Sequence, residues 1–448
     1  MKKRLVILGG GESGTGTAVL AQLKGYDVFL SDKGMLKDKY AQELEQHGIQ
    51  YEAGGHTEAE ILNADEVVKS PGIPNNSPLI LALEAKGIPV LSELEFAARY
   101  THAKIIAITG SNGKTTTTLL TYHILKQAGL NVGLGGNVGK SFARQVAECS
   151  FDYYVLEVSS FQLDNMYQFK ADVAVLTNIT PDHLDRYDYK LENYARSKFR
   201  IIQNQTASDV FIYNIDDPIT METMQAYTPE AQLFPFSIQP NQTFEFGGYI
   251  DQENLILNTQ PNQTFSMKIT ELALQGKHNL QNSMAAAAAA RFLELRKEVV
   301  RESLTNFENI EHRLEFVASV HGIRFINDSK ATNVNSTWYA LESVERPIIW
   351  IAGGTDKGND YSELLELVQS RVKAIVCLTK DSSKLRKAFA GVVDTIVDTE
   401  SADQAVRVAY DLGRDGDTVL LSPACASFDL FENYEDRGRQ FKMAVKKL

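Results

Sequence analysis

Gly110-Ser111-Asn112-Gly113-Lys114-Thr115 follows the apolar run Ile105-Ile106-Ala107-Ile108 and precedes Thr116 and a helix-forming stretch. Two glycines let backbone N–H groups turn toward a phosphate, Lys114 adds a mobile positive charge, and the Thr115 hydroxyl can bind Mg²⁺. The usual Gly-x₄-Gly-Lys-[Ser/Thr] spacing is not met, because Ile108 stands where its first glycine belongs. This shorter turn marks the chain as an ATP user.

Phosphate chemistry also needs metal ligands. Glu157 ends the apolar run 153–158, where an acid meets phosphates at the carboxyl edge of a parallel sheet. Asp182-His183 follows the next run, and His183 there suits a second metal ligand, a base or a structural role. Lys198, within the helical segment 193–202, reads from its position as a solvated surface lysine. Asn279 and Asn282 share a face at the start of a helix that runs through Ala285 to Ala290, so their amides suit either a purine edge or a helix cap. Farther on, the polar stretches 327–333, 353–358 and 422–427 each follow an apolar run. With Lys330, Thr332, Lys357 and Ser427 they make a pocket for a small dicarboxylate.

The elements that must position these residues are strands alternating with helices. A β-α-β opening comes first, with Gly9-x-Gly11-x-x-Gly14 and Asp32 about twenty residues on. Taken alone this is a dinucleotide fingerprint and points to an NAD-dependent oxidoreductase. Any phosphate-bearing ligand can use the same turn, however, and a second nucleotide turn follows. Three α/β domains are expected: a Rossmann-like domain over 1–92, a central P-loop ATPase-like domain over 93–296 with a small antiparallel patch at 234–274, and a second Rossmann-like domain over 297–448. The 448 residues carry a net charge of −12, against general affinity for nucleic acid or anionic membranes. Cys149, Cys377 and Cys425 lie far apart without metal spacing, which fits a reducing cytoplasm. No apolar run is long enough to span a bilayer.

Six segments together carry a resemblance: residues 109–118 (TGSNGKTTTT), 156–163 (LEVSSFQL), 178–187 (NITPDHLDRY), 276–282 (GKHNLQN), 327–333 (NDSKATN) and 422–438 (SPACASFDLFENYEDRG). In this order, across all three parts, the chain resembles the bacterial Mur ligases, and within the same chemistry it is set apart from folylpolyglutamate synthase. The resemblance implies a monomeric ligase that takes ATP, two Mg²⁺ ions, D-glutamate and UDP-N-acetylmuramoyl-L-alanine. By that resemblance Gly11, Glu12, Ser13, Gly14 and Asp32 would lie at the UDP moiety, with Asn137 and Ser159 at the muramoyl part. The turn from Gly110 to Thr116 would hold the ATP phosphates. Thr115 and Glu157 would bind one Mg²⁺ and His183 the second, and Lys198 would become a carbamate that serves as a ligand. Asn279 and Asn282 would face adenine, Arg313 and Asp328 would bind nucleotide, and Lys330, Thr332, Lys357, Ser427 and Tyr434 would recognise D-glutamate. Family members often carry phenylalanine where this chain has Tyr434, and the GGGESG turn differs in detail from the usual first-domain loop.

Overall fold

The computed structural model describes residues 2–259, 264–307, 311–344, 347–356 and 358–448. Two compact units divide the chain, Met1–Phe307 and Glu308–Leu448. Within each, short apolar runs separated by helices cannot pair as hairpins, so they pair in parallel with helical crossovers.

The first unit holds two sheets. One contains β1 (Arg4–Leu8), β2 (Asp27–Asp32), β3 (Gln50–Ala53), β4 (Glu66–Lys69) and β5 (Val90–Leu91), all parallel, in the order β3-β2-β1-β4-β5. The strand order reverses between β1 and β4, which opens a crevice at their carboxyl ends. The helix Glu12–Leu23 leaves the glycine turn there. A Cβ on Gly14 would stand 1.8 Å from the Gly9 carbonyl oxygen, so only glycine lets helix and strand approach this closely.

The second sheet comprises β6 (Lys104–Thr109), β7 (Val132–Gly136), β8 (Tyr153–Glu157), β9 (Val173–Leu176), β10 (Val210–Asn214), β11 (Gln232–Phe236), β12 (Gly247–Asp251), β13 (Asn254–Asn258) and β14 (Thr264–Lys268). Its order is β14-β13-β12-β11-β10-β9-β6-β8-β7. The strands from β7 to β11 are parallel and β12-β13-β14 are antiparallel, so the antiparallel patch extends the main sheet. β6 lies between β8 and β9, and this order places Glu157 and the segment after β9 on either side of the nucleotide turn. Two helices, Lys114–Gln127 and Lys277–Phe292, pack together over this sheet. All six residues from Ala285 to Ala290 are 0% exposed, and their small side chains allow the close approach. The helix Lys297–Thr305 adds Val300 and Leu304 to the same core, so the first unit continues past the boundary expected at 297.

The second unit has one sheet, with β15 (Glu315–Val320), β16 (Ile323–Asn327), β17 (Ile348–Ala352), β18 (Val372–Leu378), β19 (Ile396–Thr399) and β20 (Thr418–Leu421) in the order β15-β16-β20-β17-β18-β19. Among the described residues only β15 is antiparallel to its neighbour. The polar stretches that begin near 327, 353 and 422 therefore leave from three adjacent parallel strands.

Candidate active site

The nucleotide turn is held from one side by the segment after β9. Ser111 N–H donates to the Asn178 carbonyl at 2.8 Å, and Asn112 N–H donates to Asn178 Oδ1 at 2.9 Å. Thr177 Oγ1 donates to the Asn112 carbonyl at 2.6 Å, while Ser111 Oγ donates to the Thr180 carbonyl at 2.9 Å. These two backbone donors thus serve the fold and do not point at a phosphate. Backbone recognition of phosphate falls to the N-terminus of the helix Lys114–Gln127, from Gly113 onward. Gly113 adopts φ +80°, and a Cβ there would stand 2.2 Å from Asn282 Oδ1. Asn282 is buried against the turn and accepts from Thr117 Oγ1 at 3.3 Å, whereas Asn279 donates to the Gln275 carbonyl at 2.9 Å. The two asparagines meet different surroundings, although they lie one helical turn apart.

Lys114 and Lys198 converge on one oxygen. Each Nζ donates to the Gly110 carbonyl at 2.7 Å, and Lys114 also donates to the Ser111 carbonyl at 2.8 Å. Lys198 is 1% exposed, which corrects its reading as a solvated lysine. The reason is helical phase: Leu191, Tyr194, Ala195, Lys198 and Ile202 form one stripe, and the stripe faces the core. Burial first, and then the Lys114 charge, push the Lys198 amine well below its ordinary value against the opposing pull of Asp182, Asp164 and Glu157. A neutral amine is the form that can act as a nucleophile. Its Nζ also lies 4.5 Å from the centre of the Tyr194 ring, and Tyr194 Oη approaches Ser111 Oγ at 3.1 Å.

A cavity of about 310 Å³ opens beside these groups, lined by Lys114, Asn137, Ser159, Asp182, His183 and Lys198 together with Pro71 and Gly72 from the first sheet. Glu157, 1% exposed, sits at the register position beside Ile108, and its Oε1 accepts from Asn137 Nδ2 at 2.8 Å. Ser159 caps the short helix Ser160–Leu163 through a reciprocal pair of bonds with Gln162. His183 adopts φ +52°, lies 3.6 Å from Asp182 through Nε2, and packs edge-on against Phe161. Among the described residues no group of three or more His, Cys, Asp or Glu side chains could hold a metal by itself. The buried Glu157 carboxylate at the end of β8, one strand from the nucleotide turn, fits Mg²⁺, which is commonly held by one or two carboxylates with the remaining positions filled by phosphate oxygens and water.

The first glycine turn is arranged differently. Asp32 Oδ2 accepts from Gly10 N–H at 2.6 Å and Oδ1 from Gly34 N–H at 2.7 Å, so this carboxylate ties the turn's own backbone. Glu12 meets Arg144 Nε at 3.2 Å, and Arg144 also pairs with Glu43, which fastens the first sheet to the second. Gly11 is the N-cap of its helix, and the Ser13 carbonyl accepts from Thr17 Oγ1 at 2.7 Å.

In the second unit, Asp328 is 4% exposed and accepts from Leu314 N–H at 3.2 Å and from Ser422 Oγ at 2.9 Å. Burial pushes its carboxyl up to about 7 against the pull of the neighbouring Arg313. Lys330 Nζ lies 5.3 Å from the Tyr434 ring centre, Thr332 N–H donates to the Lys330 carbonyl at 2.9 Å, and Ser427 is buried. Lys357 lies outside the described residues. Sequence reasoning missed Arg437, which is 1% exposed and donates to the Ser329, Gly353 and Cys425 carbonyls, tying together the three loops that follow β16, β17 and β20. It also missed Tyr194, although an i,i+4 pairing with Lys198 could have found it.

Comparison with known proteins gives a consistent result. Family descriptions match three stretches: the MurD N-terminal domain over residues 4–79, the Mur ligase middle domain over 108–290, and the Mur ligase glutamate ligase domain over 312–425. The UDP-N-acetylmuramoylalanine–D-glutamate ligases of Christiangramia forsetii and Bacteroides fragilis are each 56% identical over 448 residues, covering all of both chains. The Porphyromonas gingivalis enzyme of the same name is 53% identical and covers 100% of this chain and 99% of its own. Among solved structures, a pseudomurein peptide ligase type C from Methanothermus fervidus superposes with a TM-score of 0.63 at 20% identity, covering all of both chains. Escherichia coli FolC, in complex with DHPP and ADP, gives 0.58 at 16% identity over 84% of this chain and 99% of its own. At these identities the structural likeness is one of fold.

Proposed function

Because this chain belongs to the Mur ligase family, we propose that it joins D-glutamate to UDP-N-acetylmuramoyl-L-alanine at the expense of ATP, as a step in making peptidoglycan precursors. Full-length identity above half to ligases of that name favours this reading over a folate substrate. The observation that carries the chemistry is the meeting of Lys114 and Lys198 at the Gly110 carbonyl, beside a cavity that reaches Asn137 and His183.

The reaction begins with a poor acyl donor. The alanine carboxylate attacks the γ-phosphorus of ATP, the bond to the ADP oxygen breaks, and an acyl phosphate forms. The unprotonated D-glutamate amine then attacks the acyl carbon. The tetrahedral intermediate collapses with loss of phosphate and of the amine proton, leaving an amide. In this reading Lys114 exchanges its two carbonyl partners for phosphate oxygens and neutralises charge as it develops. Asn137 orients the Glu157 carboxylate. The family uses ATP and Mg²⁺; when bound, the metal neutralises phosphate oxygens, and Thr115, Glu157 and His183 would hold it. We assign Lys198 as the site where CO₂ adds to the neutral amine, an N–C bond forming as a proton leaves, and two metal ions as the complement that the resulting anion supports. The turn from Gly110 to Thr116, with Asn279, Asn282, Arg313 and Asp328, is assigned to the nucleotide. Residues 1–92 are assigned to the UDP moiety and the second unit, Glu308–Leu448, to D-glutamate, through Lys330, Thr332, Lys357, Ser427 and Tyr434.

A cytoplasmic, monomeric enzyme completes the proposal; no helix among the described residues is long and apolar enough to cross a membrane. The test is phosphate release from ATP. Release that requires both UDP-N-acetylmuramoyl-L-alanine and D-glutamate is expected, and release driven by a folate, or turnover of a nicotinamide, would overturn the reading.

A further inference from the structure

The carboxyl edge of the first sheet holds a hydrogen-bond relay that the reaction above does not use. Ser31, fully buried in β2, lies 2.6 Å through Oγ from Glu52 Oε1 on β3 and 2.6 Å from His56 Nδ1. Glu52 Oε1 also accepts the Thr57 N–H at 2.8 Å, and Oε2 accepts the Thr57 hydroxyl at 2.6 Å. Proton counting fixes the direction. Burial pushes the Glu52 carboxyl up, but the hydrogen bonds from Ser31 and Thr57 outweigh it and hold the group below its ordinary value, so it is an acceptor only. The one hydroxyl proton of Ser31 therefore goes to Glu52, Ser31 Oγ accepts from His56, and the imidazole proton sits on Nδ1. In the Nδ1–H tautomer Nε2 offers an acceptor lone pair, and it has no hydrogen-bond partner among the described residues.

His56 lies at the carboxyl edge of the first sheet, in the loop after β3. In dinucleotide folds the acid at the end of the second strand binds ribose; here each Asp32 oxygen accepts one backbone N–H, which fixes the carboxylate and leaves each oxygen a second lone pair. The loop after β3 is joined to the loop after β2 by Gly54 N–H to the Gly34 carbonyl at 2.9 Å and Gly55 N–H to the Asp32 carbonyl at 3.4 Å, and His56 is the next residue. We propose that His56 Nε2 accepts a hydrogen bond from the uridine of the substrate, from either a ribose hydroxyl or the uracil N3–H, with Ser31 and Glu52 as positioning residues. The inference rests on the reading that the first sheet holds the uridine diphosphate.

The experiment uses the full-length chain with UDP and CDP as competitive probes. In His56→Ala the inhibition constant of UDP and the KM for UDP-N-acetylmuramoyl-L-alanine should rise about tenfold, the size of one lost hydrogen bond. The KM values for ATP and D-glutamate, kcat at saturation and the melting temperature should stay unchanged. Glu52→Gln, which no longer fixes the relay's direction, should raise the same two constants by less. If the preference for UDP over CDP collapses in His56→Ala, the donor is the uracil N3–H; if affinity falls with the preference kept, it is a ribose hydroxyl. An unchanged UDP constant in a folded His56→Ala, or an equal rise in all three KM values, overturns the inference alone. A wild-type enzyme that releases no phosphate with UDP-N-acetylmuramoyl-L-alanine overturns the ligase reading and this inference with it.

Discussion

After β1 and again after β6 the chain makes the same move, a glycine turn into a helix N-terminus, yet opposite charges gather around the two turns. The first has acids: Asp32 bonds to Gly10 and Gly34, and Glu12 is held by Arg144. The second has two lysines on a single carbonyl, with Glu157 one strand away. A turn of this kind fixes where a phosphate can lie, because backbone donors and the helix dipole point the same way in both. What happens to the phosphate is set by side chains that other strands deliver. In the proposed reaction the first turn holds a ligand and the second changes one.

Lys198→Ala should break that contrast most severely. Phosphate release should fall about 10³-fold or more, while calorimetric titration still shows ATP binding; near-normal turnover would remove the lysine from the chemistry. Next come the glycines. Gly113→Ala, with its Cβ against Asn282 and its φ of +80°, should raise the KM for ATP by roughly 10- to 100-fold through about 1–3 kcal/mol of strain. Gly14→Ala, pressed on the Gly9 carbonyl, should raise the KM for the uridine substrate instead. If both variants damaged the same constant, the division of labour between the turns would be wrong. Asp32→Asn should cost about 1–2 kcal/mol of stability, since an amide nitrogen cannot accept from Gly10 or Gly34, and should leave the KM for ATP unchanged; denaturant unfolding and steady-state kinetics check the two parts.

The smallest effect is one of pH. The folded-state value of Lys198 is depressed, so the unfolded chain takes up a proton that the folded chain refuses, and stability falls as the pH drops below the ordinary lysine value of 10.5. Lys198→Met lacks that penalty. In CO₂-free buffer it should melt about 2 °C higher than wild type at pH 7, with the gain shrinking as the pH rises toward 10.5. A gain independent of pH would mean that the buried amine is not the cause.

Much of the fold was legible because its signals are local. The strands at 210–214 and 348–352 fall where the apolar runs put them, whereas the antiparallel patch expected from 234 begins only at Gly247, because 232–236 pairs in parallel with β10. Glu157 was readable as a buried strand-end acid because it closes an apolar run, and it does end β8 with 1% exposure. Lys198 was readable only in part: the stripe of Leu191, Tyr194, Ala195 and Ile202 holds the information, but a lysine within it looks like a surface residue until its neighbours are known. Ser111 and Asn112 illustrate the reverse error, since their backbone donors look available in the sequence and are taken by Asn178 in the fold. Arg437 gave no signal at all, because its partners come from three loops scattered over about a hundred residues of chain.

By itself, the sequence determined where the chain turns, which stretches become strands and helices, and which two turns can receive a phosphate, for these depend on backbone preferences that act over a few residues. Only the tertiary structure decided which charges face one another. The placement of β6 between β8 and β9 brings Lys198 to the Gly110 carbonyl and Glu157 to Asn137, and the joined ends of β2 and β3 set the direction of the Ser31 relay. Desolvation and charge pairing act through space, so their outcome waits on strand order, and it is strand order that gives the two turns their different charges.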